Sequence, residues 1–350
     1  MYITRTNQYF ICQSSLNPIP WNISDADETF PVDCVYFGKV FKAMEKDLKV
    51  KDLTFYLTWD INQLPSYGQN VVAIVLGDEW CRIPKYFQKV KAIFKCYGTR
   101  PMLGCNPLLN PSYLNIISFI QFFRNYAASL PRRLQYRLYK FKNIYLGVLK
   151  HPYIYEIPLG YYNQIELPVK DIKERLYDVF FAGSLTLEAS HKESFLKRVL
   201  SAKAVSRQQM ISKIYKIQEK DVDLKIELLI QPSFGFQGTR HDAAKVYSEK
   251  LMNTKICLVP RGSSPETFRF FEALRYGCII ISEKLPSHWF YNGAPYIELS
   301  KWDELENILI KLKDDENLMQ KMHEQSLDWW KTKCSEDAVG GYMAEKLNSI

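Results

Sequence analysis

Residues 255–283 read KICLVPRGSSPETFRFFEALRYGCIIISE, and this stretch decides the fold. Short apolar runs rich in β-branched residues stand at both of its ends, as is typical of buried strands. Between them, residues 265–276 show helical apolar spacing, with Ser264 as a natural N-cap, Pro265 at the first helical position and Gly277 after the last turn. The order of strand, glycine-containing loop, helix and strand predicts one unit of a Rossmann-like α/β domain.

The loop and the start of this helix have the chemistry of an anion site. Backbone N–H groups at a helix N-terminus and the preceding Arg261-Gly262 direct positive charge towards one place. On one helix face, Arg269 can bind phosphate in bidentate fashion and Glu272 can accept the ribose hydroxyls. The alternative is an intrahelical Arg–Glu pair on a solvent-exposed face. The residues predicted here to bind a nucleoside diphosphate are Arg261, Gly262, Ser263, Ser264, Thr267, Arg269 and Glu272.

The sequence before this unit supplies the opening of the same domain. Residues 177–184, YDVFFAGS, read as a buried strand that ends in a turn at Gly183 and Ser184, and a helix is predicted over 188–202. Gly183 and Ser184 therefore join the predicted nucleoside diphosphate site. A chain of 350 residues is long enough for two domains of roughly 150 residues each. The predicted division is an N-terminal domain over 1–165, a second domain with the nucleotide site over 174–330 and a C-terminal helix over 331–350.

The first domain shows short apolar runs that alternate with loops and helices, which favours a mostly parallel sheet. Its predicted strands are 32–37, 53–59, 70–76, 91–97 and 144–149. Residues 115–142 read as helical, with Pro131 beginning a second helix after Ser129. Both halves together therefore predict an α/β protein of two Rossmann-like domains.

The ordered motifs of the second domain resemble the exostosin-type glycosyltransferases. The resemblance rests on KICLVPRG at 255–262, on Arg269, and on the EAL and GCIII strings that begin at Glu272 and Gly277; 153–159 and 178–184 extend it more weakly. It implies a GT-B architecture, in which two Rossmann-like domains face a cleft and C-terminal helices pack back towards the N-domain. In such an architecture 1–165 would be the acceptor-binding domain and 174–330 the donor-binding domain. The resemblance also implies inversion at the anomeric carbon without an obligatory metal, and a nucleotide-sugar donor, UDP-sugar favoured, as co-substrate rather than a bound cofactor.

An inverting transfer needs a base near the acceptor hydroxyl. Residues 71–77 read as a strand that ends at Asp78 and Glu79, where a cleft between parallel sheets would open. Either carboxylate is a candidate catalytic base; alternatively, Asp78 caps a helix or pairs with Arg82. Two Asp-x-Asp strings, at 25–27 and 221–223, follow no apolar strand and read as turns, so no metal site is predicted.

The charge distribution points to the acceptor. The net charge is +8, and no acidic residue lies between Glu79 and Glu156. The cations of that stretch are Arg82, Lys85, Lys89, Lys91, Lys95, Arg100, Arg124, Arg132, Arg133, Arg137, Lys140, Lys142 and Lys150. Such a field attracts polyanions or anionic lipid head groups, although a solubilising surface is the simpler reading. The preferred acceptor is a glycan or lipid-linked glycan, as in polysaccharide biosynthesis, with peripheral contact to an anionic membrane.

Other classes are weighed against this interpretation. A Rossmann-type oxidoreductase is disfavoured because no Gly-x-Gly-x-x-Gly follows a strand. A catalytically inactive nucleotide-sugar or polyanion-binding module with the same fold stays open, whereas nucleic acid is not an expected partner because no nucleic-acid motif occurs. The eight cysteines stand singly, without zinc spacing, and no secretory signal is visible. These features predict reduced thiols and a cytoplasmic protein.

Overall fold

The computed structural model describes residues 6–13, 17–23, 34–103, 108, 110–145, 153–185, 201–220, 223–231 and 240–350. The first half of the chain is built on a largely parallel sheet in the order β2-β1-β3-β4-β5-β6, with only the β1–β2 pair antiparallel among the described strands. These strands are Gln8–Cys12 (β1), Ile19–Pro20 (β2), Thr54–Thr58 (β3), Gly68–Val75 (β4), Val90–Lys95 (β5) and Tyr153–Glu156 (β6).

The second half is built on a parallel sheet in the order β11-β10-β9-β7-β8. Its strands are Tyr177–Ser184 (β7), Ile226–Gln231 (β8), Thr254–Val259 (β9), Ile279–Ser282 (β10) and Tyr296–Glu298 (β11). The chain leaves β7 towards β8 on one side and returns at β9 on the other side. Such a reversal of strand order opens a crevice at the carboxyl ends of the two strands, where ligands bind in open α/β sheets.

Helices cover both sheets. The described α-helices are Cys34–Asp47 (α1), Tyr113–Tyr145 (α2), Ala202–Glu219 (α3), Arg240–Met252 (α4), Phe268–Arg275 (α5), Leu305–Lys313 (α6), Glu316–Trp329 (α7) and Glu336–Asn348 (α8). The architecture is therefore α/β with two Rossmann-like parallel sheets, and the predicted fold class is confirmed. None of the seven described cysteines forms a disulfide. The domain boundaries remain predictions.

The last helix packs back onto the first half, as the predicted architecture requires. At Gly340 of α8, an added Cβ would lie 2.7 Å from the Met44 backbone nitrogen and the Val40 backbone oxygen of α1. Only a residue without a side chain allows this approach. Just before α8, the Cys334 backbone oxygen accepts a hydrogen bond of 2.6 Å from the Tyr36 hydroxyl of α1. The C-terminal segment therefore ties the two halves together.

Three predicted elements differ from the structure. The predicted strand at 32–37 is wrong for its described residues, which begin α1; apolar side chains recur at Phe37, Val40, Phe41 and Met44, a helical period that outweighs the β-branched start. The predicted strand at 144–149 is wrong at its start, where α2 continues to Tyr145, and the rest lies outside the described residues.

The predicted interruption of α2 is also wrong, because the helix runs through Pro131. Arg132 donates to the Ile83 backbone oxygen and Arg133 to the Thr99 backbone oxygen. These contacts hold the turn after the proline against the first half, and tertiary contacts of this kind override the local cost of an interior proline. The predicted helix over 188–202 lies outside the described residues up to 200.

Candidate active site

A cavity lies between the two halves, at the carboxyl ends of β4 and β5 on one side and of β7 and β9 on the other. Its volume is about 210 Å³, whereas a single water needs only about 10–15 Å³, so it has room for an organic ligand. The predicted site residues that line it are Glu79, Gly183, Ser184, Gly262, Ser263, Thr267, Arg269 and Glu272. The lining residues that the sequence did not single out are Tyr97, Tyr162, Ala182, Lys203, Arg207, Tyr247, Glu266 and Phe268.

Arg269 occupies the wall formed by α5. Its guanidinium lies 4.9 Å from the centroid of the Phe181 ring, and its Nε and Nη1 atoms are buried without a hydrogen-bond partner among the described residues. Buried N–H donors are normally satisfied, so an unpaired guanidinium that lines a cavity indicates a site for an anion. Gly183 permits this position, because its φ is +153° and an added Cβ would lie 2.7 Å from Arg269 Nη2.

Two further cations of α3 line the same cavity. Arg207 is fixed by a hydrogen bond of 2.6 Å to the Ser184 backbone oxygen and a longer one to the Arg261 backbone oxygen. Burial and the positive charge of Arg269 lower the pKa of Arg207 to about 9. Burial and the charge of Arg207 lower the pKa of Lys203 as well. Three positively charged side chains are thus held close together in a partly buried site. An anionic ligand would stabilise this arrangement.

The helix at this site begins later than the sequence predicted. The N-cap of α5 is Thr267, and its hydroxyl is buried without a partner in the described ranges. Ser264 is not the cap; its hydroxyl instead accepts from the backbone N–H of Glu266, and it does not line the cavity. Residues 263–265 bend instead of forming the first turn of the helix that the sequence predicted. The uncapped N-terminus of α5 still supplies free N–H groups at the cavity.

Arg261 does not lie where the sequence predicted. Its guanidinium donates to Ser118 Oγ at 2.9 Å and to Gln121 Oε1 at 3.3 Å, both on α2, rather than lining the cavity. In return, Gln121 Nε2 donates to the Ser263 backbone oxygen at 2.5 Å. The side chain therefore fastens the glycine-containing loop to α2, a contact between distant segments that the local sequence could not reveal.

Glu272 lies one turn along α5 from Arg269 and is buried. Its Oε1 accepts from the backbone N–H groups of Tyr162 and Asn163, at 3.1 and 3.0 Å, and its Oε2 accepts from the Tyr247 hydroxyl at 2.7 Å. A carboxylate oxygen has two lone pairs, so Oε2 can accept one further hydrogen bond. Glu272 thus anchors the segment between the halves while still lining the cavity.

The two candidate bases occupy different environments. Asp78 has a φ of +78° and a side chain that is 1% exposed. Its carboxylate accepts from the backbone N–H and the Nε of Arg82, at 2.6 and 2.7 Å, and lies 3.3 Å from Nζ of the fully buried Lys95. Glu79 is partly exposed and lines the cavity. The geometry thus gives Asp78 the alternative role weighed from the sequence, pairing with Arg82, and leaves Glu79 as the candidate base that lines the cavity.

A third carboxylate that lines the cavity, Glu266, was not predicted from the sequence. Glu266 has a side chain that is 1% exposed, and neither oxygen has a hydrogen-bond partner in the part of the chain that the structure describes. His288 lies between two carboxylates, with Nδ1 2.8 Å from Glu156 Oε2 and Nε2 3.7 Å from Glu266 Oε2. Burial alone would lower the pKa of His288, but Glu156 and Glu266 raise it to about 10. The imidazolium therefore links the end of β6 to the loop before α5.

The missed residues gave little local signal. Lys203 and Arg207 come after the helix predicted over 188–202, not after a strand, so their position gave no sign of a ligand site. They lie on α3, which begins at residue 202, where the predicted helix ended. Tyr97 was placed at the end of a predicted strand, and its φ of +60° shows that the chain turns sharply there. Glu266 lies within residues 255–283, next to the loop that was predicted to bind an anion. This position was the only sequence feature that pointed to Glu266 as a site residue.

Within the described ranges, no group of three or more His, Cys, Asp or Glu side chains is arranged to hold a metal ion. The Asp-x-Asp string at 25–27 lies outside those ranges, as do 221 and 222. Asp223 lies 3.3 Å from Lys313 Nζ at the surface.

Solved structures of other proteins resemble the chain in fold, at 10–12% sequence identity. No protein-family model matches the chain, and no curated protein matches its sequence. T4 phage BGT in complex with its UDP-glucose substrate aligns over 98% of this chain and 98% of its own, with 11% identity and a TM-score of 0.43. The pneumococcal O-GlcNAc transferase GtfA in complex with UDP and GlcNAc aligns over 90% of this chain and 61% of its own, with 12% identity and a TM-score of 0.38. An α-glucosyltransferase in complex with UDP and a 13-mer DNA aligns over 88% and 83%, with 10% identity and a TM-score of 0.38.

Proposed function

We propose that the protein is a glycosyltransferase that moves a sugar from a nucleoside diphosphate sugar to an acceptor hydroxyl in the cavity between its two halves. The donor is bound by the second half and the acceptor enters from the first half. The observation that carries the proposal is the unpaired guanidinium of Arg269, which lines the cavity beside Arg207 and Lys203 at the strand-order reversal. A diphosphate has negative charge, which complements all three cations, and oxygen acceptors for the unpaired donors of Arg269.

The nucleoside end of the donor is assigned to the part of the cavity beside Glu272, one turn of α5 away from Arg269. The remaining lone pair of Glu272 Oε2 accepts a ribose hydroxyl, while the carboxylate keeps its three contacts to the protein. The resemblance of 255–283 to the exostosin-type enzymes gives Glu272 and Arg269 the same roles and supports inversion without a metal. Glu266, a buried carboxylate whose oxygens have no hydrogen-bond partner among the described residues, is suited to accept hydroxyls of the transferred sugar.

The proposed reaction is a single displacement. The Glu79 carboxylate removes the proton of the acceptor hydroxyl, and the oxygen attacks the anomeric carbon. As the new carbon–oxygen bond forms, the bond from the anomeric carbon to the phosphate oxygen breaks, and the nucleoside diphosphate leaves with the bonding electrons. Arg269, Arg207 and Lys203, which line the cavity, stabilise the charge that develops on it.

The acceptor is proposed to be a glycan or a lipid-linked glycan. Glu79 and Tyr97 follow β4 and β5 of the first half, so an acceptor hydroxyl reaches the cavity from that side. The same half contains the stretch without acidic residues, whose cations attract an acceptor that carries phosphate or carboxylate groups.

A nucleotide screen tests the proposal. UDP, GDP and CMP are added separately, and the melting temperature is followed. A ligand at a hundred times its Kd stabilises the folded protein by about 2.7 kcal/mol, and we expect a rise of about 2–4 °C for UDP. Release of free sugar from the matching nucleotide sugar then separates an enzyme from an inactive binding module. If no nucleoside diphosphate raises the melting temperature, the donor assignment is wrong.

A further inference from the structure

Helix α2 carries a continuous apolar stripe on its exposed face. The helix has 33 residues and is about 50 Å long at 1.5 Å per residue. The stripe follows steps of three and four residues, so its members lie on one face. The residues of this apolar stripe are Ile116, Ile120, Phe123, Ala127, Leu130, Leu134, Leu138, Phe141 and Tyr145; its large side chains are 37–81% exposed.

The opposite face of α2 is the one that packs on the protein. Leu114, Ile117 and Asn125 are buried near its start, and Tyr136 and Tyr139 contact the Phe87 ring edge-on further along. Because the helix is already seated by this face, the apolar stripe serves no purpose in the fold of the described chain. Isolated exposed apolar side chains need no explanation, but a contiguous row of this length marks an interaction surface.

Cations flank the stripe on both sides. Arg137 and Lys140 lie along one side of it and Arg124 and Lys142 along the other, by their helical spacing, and all four are exposed. No acidic residue of the chain between Glu79 and Glu156 compensates them. An apolar stripe bordered by basic side chains on a helix that lies at the surface is the pattern of helices that lie in a membrane interface.

We propose that α2 docks on an anionic lipid surface, with the apolar stripe in the acyl region and the flanking cations at the head-group phosphates. A second copy of the chain fits less well, because pairing through the stripe would bring cationic flanks together. A nucleic acid would engage the cations but leave the stripe in water. No helix of the described residues, α2 included, is long and apolar enough to cross a membrane, so the helix lies along the surface.

This orientation brings the cavity to the membrane. Gln121 and Ser118 of α2 contact the loop at 261–263 that lines the cavity. The docked helix would therefore hold the cleft beside the lipid surface. That consequence rests on the proposed transferase function, whereas membrane docking itself does not.

Vesicle flotation tests the docking, with phosphatidylcholine vesicles and with vesicles that also contain phosphatidylglycerol. The full chain should float only with the anionic vesicles, and less so when salt is raised from about 0.1 M to about 1 M, which shortens the Debye length from about 10 Å to about 3 Å. The stripe variant Leu134→Ser, Leu138→Ser, Phe141→Ser should lower the bound fraction about tenfold or more.

Matched variants separate the contributions. A charge variant, Arg137→Glu, Lys140→Glu, Lys142→Glu, should lose binding as well, and it spares Arg132 and Arg133, which anchor α2. A control at apolar residues that are 41–48% exposed elsewhere, Tyr215→Ser, Val246→Ser, Ile310→Ser, should bind like the wild type. Circular dichroism melting checks that each variant is folded.

Three results would overturn the proposal. The first is wild-type protein that stays unbound with anionic vesicles at low salt. The second is a dimer in light scattering that dissociates in the stripe variant, since the stripe would then be covered by a second copy. The third is binding to a DNA duplex that the charge variant abolishes and the stripe variant keeps, together with no flotation. None of these readouts uses transferase activity, so failure here leaves the proposed function untouched.

Discussion

Replacing Arg269 by Met tests the donor site most directly. Met keeps much of the length of the side chain and its contact with the Phe181 ring, but removes the two buried N–H donors at Nε and Nη1. A hydrogen bond to a charged group contributes about 1.5–3 kcal/mol, so two lost bonds give an upper bound of about 3–6 kcal/mol. Removing the charge of Arg269 also removes its repulsion of the Arg207 guanidinium, whose pKa Arg269 helps to lower. We therefore expect a loss of about 3 kcal/mol, or roughly a hundredfold in the Kd of UDP.

Titration calorimetry with UDP and with uridine distinguishes the phosphate contribution from a general defect. The affinity of Arg269→Met for UDP should fall, whereas its affinity for uridine should stay as in the wild type, because uridine carries no phosphate. Arg275→Met is the matched control: Arg275 lies on the same helix but stacks 4.1 Å from the Tyr161 centroid and does not line the cavity. Its UDP affinity should stay near wild type. A change of less than about threefold for UDP in Arg269→Met, or an equal loss for uridine, refutes the assignment.

The remaining predictions concern the carboxylates and His288. Glu79→Gln should lower turnover about 10²–10⁴-fold and leave UDP affinity unchanged, which steady-state kinetics and calorimetry check together; normal turnover would place the base elsewhere. Asp78→Asn should instead lower the free energy of unfolding by about 3–5 kcal/mol in urea titrations, because Lys95 would keep a buried, unpaired charge; an unchanged midpoint contradicts this. The pKa of His288 is raised from 6.5 to about 10, so its imidazolium stabilises the fold fully below pH 6.5, and this contribution is lost as the pH rises towards 10. His288→Gln should accordingly be less stable than wild type near pH 6, and urea titrations should show the gap narrowing towards pH 10; a gap independent of pH would exclude the imidazolium.

The second half was the more predictable part because glycines and turn residues in the sequence mark where its helices and strands begin and end. Strand β7 ends with Gly183 and Ser184. Strands β9 and β10 enclose a loop that contains Gly262 and a helix that stops at Gly277, whose φ is +66°. Buried strands of β-branched residues bounded by such signals are recognisable without tertiary information. Most of the residues predicted for the donor site lie within these few turns and line the cavity, whereas their role in donor binding stays a prediction.

The first half was less predictable because packing decides its elements. The start of α1 is a short apolar run, which sequence alone does not assign to helix or strand. Continuation of α2 through Pro131 depends on contacts of Arg132 and Arg133 with residues about 35 to 50 positions away. The choice between Asp78 and Glu79 likewise depends on Lys95, which reaches Asp78 only because β4 and β5 are neighbours in the sheet.

Catalysis of the proposed kind needs the base of one half at a fixed distance from the phosphate site of the other. The link between Glu156 and His288, the contact of Arg261 with Ser118, and the packing of α8 on α1 each join the two halves. All three join segments that are far apart in the sequence, and none of them is a feature of either Rossmann-like unit alone. The Rossmann-like units therefore supply the ligand-binding ends of the strands, whereas these contacts set the spacing between Glu79 and Arg269 on which a single displacement depends.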